Sequence, residues 1–110
     1  MEFNIIATVG TAEVDLAPYP GGSATVPADR SRKIYAAVLS NTAAGANTLT
    51  VRIYKGTTLE AEFSINLPST GVFSFIGTKG SPLLVVPPGR TLRAVASAES
   101  VVVVLSAYDE

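Results

Sequence analysis

Histidine, cysteine and tryptophan are all missing from this chain of 110 residues. Their absence removes the commonest general base, the thiol nucleophile and the best zinc ligands. Without cysteine there is also no disulfide framework. Charge is scarce: 15% of the residues are charged, against about 25% in an average domain. Eight basic and nine acidic residues leave a net charge of −1, so no electrostatic footprint for nucleic acid exists. No apolar run approaches the roughly 20 residues that span a bilayer. The opening Met1-Glu2-Phe3-Asn4 lacks the basic and apolar regions of a signal peptide. The sequence therefore predicts a non-enzymatic protein made in a cytoplasm, with no cofactor, no metal, no nucleic acid and no membrane.

What is present is apolar and short-ranged. Hydrophobic residues make up 47% of the chain, more than one small core hides, so some are expected to cover a subunit interface. Nine glycines and seven prolines punctuate the sequence at short intervals, as sandwiches and barrels require. Strands are expected near 3–9, 12–16, 23–27, 33–41, 48–55, 59–67, 72–76, 83–86, 91–97 and 101–108. No segment shows helical spacing over three turns. The fold class is all-β: one antiparallel β-sandwich over residues 1–110, jelly-roll-like or Ig-like, with 1–22 an N-terminal arm or extra strands.

The clearest hairpin is central. Leu49, Val51 and Ile53 alternate with Thr50, Arg52 and Tyr54; Leu59, Ala61, Phe63, Ile65 and Leu67 alternate with Glu60, Glu62, Ser64 and Asn66. Matching apolar faces pairs Ile53 with Ala61, Val51 with Phe63 and Arg52 with Glu62. That parity demands an odd loop, such as Gly56-Thr57-Thr58, and makes Phe63 a buried aromatic. Ile34–Leu39 and Val101–Leu105 read as buried on both faces, one against the core and one against a second subunit or covering loop. Pro87-Pro88-Gly89 has a type II turn signature. Pro18–Gly22 and Asn41–Asn47 read as loops.

Chemistry-bearing patterns are few. Glu60 and Glu62 share a strand face at roughly 7 Å, within the inverting-glycosidase spacing; a solvated face with Glu62 paired to Arg52 is the simpler reading. Ser64, Ser74 and Ser97 have no histidine, and no spacing couples one to Lys33, Lys55 or Lys79. Tyr19, Tyr35, Tyr54, Tyr108, Phe73 and Phe75 suit a sugar-binding face or, more simply, core and interface packing. Asp29, Arg30, Arg32 and Lys33 form a short charged cluster before a buried strand. Arg30, Arg32 and Lys33, with Tyr19, are the candidate partner contacts.

Three segments in order carry a resemblance. They are Ala24-Thr25-Val26-Pro27-Ala28 with the strand ending Leu39-Ser40-Asn41-Thr42, then Pro82–Ala94 around Pro87-Pro88-Gly89-Arg90-Thr91-Leu92, then Val101–Glu110. Together, over residues 24–110, they resemble small virion structural proteins of tailed phages. The family usually has an acid after the turn glycine, where Arg90 stands here. The resemblance implies a β-sandwich on a capsid, neck or tail. Its leading implication is a capsid decoration (cement) protein, binding the lattice of the major capsid protein and itself as a homo-oligomer, with a trimer as the expected form. The alternatives are a tail or fibre module binding host-surface carbohydrate and a subunit of a cellular filament.

Overall fold

The computed structural model describes residues 2–110. Among them lie ten strands and no helix: β1 (Glu2–Val9), β2 (Val14–Asp15), β3 (Pro18–Tyr19), β4 (Arg32–Asn41), β5 (Asn47–Lys55), β6 (Thr58–Leu67), β7 (Val72–Ile76), β8 (Leu84–Val86), β9 (Thr91–Ala96) and β10 (Val101–Asp109). Two antiparallel sheets result. The larger runs β3-β1-β10-β4-β7, with β8 also on β4; the smaller runs β2-β9-β5-β6.

The pairings nest: β1 with β10, β2 with β9, β4 with β7 and β8, β5 with β6. A long hairpin rolled so that successive pairs fall in alternate sheets is a jelly roll. An immunoglobulin sandwich distributes its strands otherwise, so the order settles that choice. β1 lies inside the larger sheet between β3 and β10. The N-terminal residues are therefore strands of the sandwich and not an arm.

The core is the layer between the sheets. Ile5, Val9, Val101, Val103, Leu105, Ile34 and Leu39 point in from the larger sheet; Leu49, Val51, Ile53, Leu92, Ala94 and Ala96 meet them from the smaller. Alternation along the strands sends these residues inward, with a bulge at Tyr35 on β4 bringing Ile34 and Leu39, five residues apart, to the same side.

The central hairpin has the expected register, Val51–Phe63, Arg52–Glu62 and Ile53–Ala61, but a different turn. Lys55 pairs with Thr58 around a two-residue loop, Gly56-Thr57. Glycine first with φ +63 is the type II′ pattern. The odd residue is absorbed downstream: Ile53 faces Ala61 and Tyr54 faces Leu59, leaving Glu60 as a bulge. Phe63 is corrected too. It faces inward but is 41% exposed, because β6 overhangs an open side of the sandwich.

Two further expectations fail locally. Residues 23–27 form no strand; only Thr25 bridges Thr91, while Val26 is buried beneath the Arg90 turn. Pro18–Tyr19, expected as loop, pairs with Ile5 and Asn4. This is an edge position, where a missing proline donor is tolerated. The Pro87–Arg90 turn conforms, with Gly89 at φ +76 and the Arg90 amide donating to the Pro87 carbonyl. The Asn41–Asn47 connection is held by its own buried ends. Asn41 donates to the Gly45 and Pro68 carbonyls, and Asn47 exchanges hydrogen bonds with Ala98.

Candidate interaction surfaces

The outer faces of the two sheets differ in kind. On the smaller sheet, polar side chains stand opposite one another by register, Arg52 between Glu62 on β6 and Arg93 on β9. Arg52 donates to Glu62 at 2.8 Å and to Glu13 at 2.9 Å. Arg93 reaches Asp15 at 2.8 Å and lies over the Tyr54 ring, whose hydroxyl donates to Glu13. Arg90 pairs with Glu60 at 2.8 Å. The arginine hydrogen bonds hold Glu13 and Glu60 below the ordinary carboxylate range, and Glu13 with Glu62 holds Arg52 more firmly protonated. Each sign is matched within the face.

The larger sheet is bare in its middle. Its cross-strand rows are Asn4–Ser106–Ala36–Ile76, Ile6–Val104–Val38–Ser74 and Thr8–Val102–Ser40–Val72. None carries a charge, and four strands by three rows cover ~400 Å². Charge collects at one end only. There Tyr35 and Tyr108 lie with ring centroids 6.0 Å apart, flanked by Lys33–Glu110 and Lys79–Glu2 ion pairs. These pairs lower the Glu110 and Glu2 carboxyls and raise the two lysines, and the Glu2 carboxylate accepts from and raises the Tyr35 hydroxyl.

A third surface lies where the sheets part. β6 and the β7/β8 side of the larger sheet border an apolar cleft of about 370 Å³ that runs in to Leu49, Leu92 and Val103. Phe63, Phe75 and Leu83 stand in its mouth, and among its lining residues Ser64 is the polar one. Val72 and Ile76 on β7 are also exposed, Ile76 at 85%, but on the outer face of the larger sheet and not in the cleft.

The four candidate contacts separate. Tyr19, 62% exposed, pairs beside Asn4 and so extends a bare row of the larger sheet. Lys33 stands at the charged end of that face, tied to Glu110. Arg30 is exposed on the loop before β4 and forms no ion pair among the described residues. Arg32 is not a surface contact. It is 3% exposed, on the inner side of β4 opposite Asp109. Its guanidinium makes paired bonds to Asp109 at 2.8 and 3.0 Å, donates to the Ser23 carbonyl and covers the Phe3 ring. Strand parity carries this signal: Arg32 and Ile34 share a side.

The other candidate chemistry is dispersed. Glu60 and Glu62 bind different arginines. Ser64 bonds Thr50, and Ser97 donates to Asn47. Phe73 and Phe75 face inward from β7, and Tyr19, Tyr54 and the Tyr35–Tyr108 pair lie on separate parts of the surface. No protein-family model matches the chain, and no curated protein matches it in sequence.

Proposed function

We propose that the protein is a non-enzymatic virion component of a tailed phage, a capsid decoration protein that stabilises the assembled head. The carrying observation is the uncharged outer face of the larger sheet, with Ile6, Val104 and Val38 in one cross-strand row. An antiparallel sheet that meets water normally alternates apolar-in with polar-out. This one has apolar and small residues on both sides, which suits a face covered by a partner. The ordered resemblance of residues 24–110 supplies the partner's identity, the lattice of the major capsid protein. The jelly roll suits the role as a rigid, closed scaffold.

The mechanism is mass action. A footprint that exists only across assembled capsid subunits binds the lattice and not its free parts, and so stabilises the lattice. Tyr19 and Lys33 border the face and would fix its orientation.

Co-sedimentation of the purified protein with undecorated particles tests the reading. Association is expected at low and high salt alike, since the face has no charge to screen, and it is lost in Val38→Glu. No association with any particle, together with retention on a glycan array, would transfer the protein to the host-binding class.

A further inference from the structure

The sandwich has four edges, and three are blunted. β2 and β3 have two residues each, and β7 and β8, which share the flank of β4, have five and three. Short edge strands are a known device against unwanted pairing. β6 is the exception. It runs ten residues from Thr58 to Leu67, pairs only with β5, and contains no lysine or proline. Its glutamates are tied to arginines, Glu60 to Arg90 and Glu62 to Arg52, and its one edge-protecting device is the bulge at Glu60, which leaves Ala61–Leu67 open. That segment offers about 24 Å of open backbone edge.

We propose that β6 is a self-association strand, and that its occupant is β6 of a second copy, paired antiparallel about a twofold axis at Ser64. The proposal does not depend on the capsid reading, and it departs from the threefold assembly expected from the resemblance.

The register follows from constraints on β6 itself. A copy related by a twofold axis pairs residue 64+n with residue 64−n when the axis passes Ser64. Centring on a residue keeps polar faces with polar and apolar with apolar; centring between residues flips one copy. The axis at Glu62 would set two like charges opposite one another. The bulge at Glu60 ends regular pairing on one side and Pro68 ends it on the other. The regular segment is therefore Ala61–Leu67, and Ser64 is its midpoint. In that register Phe63 meets Ile65 of the copy, Ala61 meets Leu67 and Glu62 meets Asn66.

Charge and area point to the same occupant. The cleft mouth is uncharged, so a charged partner gains nothing there. An axis perpendicular to the sheets also brings the β7/β8 side against its own copy. The two clefts then meet mouth to mouth, and Phe63, Phe75 and Leu83 leave water. The regular segment is about 24 Å long, and with a wall roughly 20 Å thick it gives on the order of 480 Å² per copy, about 1,000 Å² in all, the lower bound for a specific interface.

The absence of native cysteine makes the test clean. Sedimentation equilibrium of the intact chain is expected to give twice the monomer mass of 11.4 kDa. Ser64→Cys, an exposed and conservative change, should form a disulfide-linked dimer with itself under mild oxidation, because opposed Cα atoms lie within bridging range. Val38→Cys, on the other face, should not. Phe63→Lys should give a monomer with an unchanged far-ultraviolet circular-dichroism spectrum. Outward β6 amides should exchange slowly at high concentration and rapidly on dilution. A trimer, or a dimer that cross-links through Val38→Cys and not Ser64→Cys, would overturn the proposal. So would a monomer, including one that carries a co-purified apolar molecule in native mass spectra.

Discussion

The two sheets share one construction on the inside and opposite ones outside. Each presents a row of valines, leucines and isoleucines to the core. Outside, the smaller sheet gathers Glu13, Asp15, Glu60 and Glu62 with Arg52, Arg90 and Arg93 into a matched network. The larger sheet carries its arginine inside, as Arg32 on Asp109, and leaves three outer rows uncharged. A surface whose charges all find partners on the same surface is finished in water. A surface with neither charge nor cover has an apolar area that water disfavours. The difference separates a charge-matched face from an uncharged one within one small domain.

The sharpest way to break this comparison is to remove the inward ion pair. Arg32→Ala leaves Asp109 part-buried without its partner, and breaking such a pair costs about 3–5 kcal/mol. Urea unfolding should show that loss, and a loss well under 1 kcal/mol would mean that Arg32 belongs with the surface charges. A second test takes neighbours on β10. Val103 is buried and Val104 faces out in the bare row. Val103→Ala should cost about 2 kcal/mol, and Val104→Ala clearly less in the isolated chain. Equal costs would show that the outer row is already covered.

Much of this difference was legible in the sequence. Period-two alternation in 49–67 gave the hairpin its register, since a one-residue slip would expose every apolar side chain. Val101–Val104 announced a strand with two apolar faces. What escaped has physical reasons. A bulge and a two-residue turn satisfy the same parity as an odd loop, so Glu60 was indistinguishable from a paired residue. Arg32 read as surface because charged residues rarely go inside without a partner. Its partner Asp109 lies 77 residues away, next to the C-terminus. The exposed edge of β6 follows from strand order in space, which local alternation does not encode. For the same reason, the bare outer face became visible only once β1, β10, β4 and β7 were set side by side.

The smallest effect belongs to the charged face. Arg52→Ala breaks the pairs with Glu13 and Glu62, yet exposed pairs of this kind contribute little and are screened by salt. Its urea midpoint at neutral pH should hardly move. Acid gives the finer reading. Glu13 and Glu60 sit below their ordinary value of 4.5 because arginines donate to them. Between the folded and unfolded values the unfolded chain binds more protons, so stability falls as pH falls. The contribution is complete above about pH 4.5 and disappears as pH drops through the depressed folded values. Glu2 and Glu110, at the charged end of the larger sheet, act in the same direction. Arg52→Ala should therefore flatten the acid limb slightly, its small difference from the parent closing as pH falls below the depressed Glu13 value, while the uncharged rows of the larger sheet contribute no slope at any pH. A variant whose acid limb stayed as steep as the parent's would show that the Glu13 pairing does not carry this dependence.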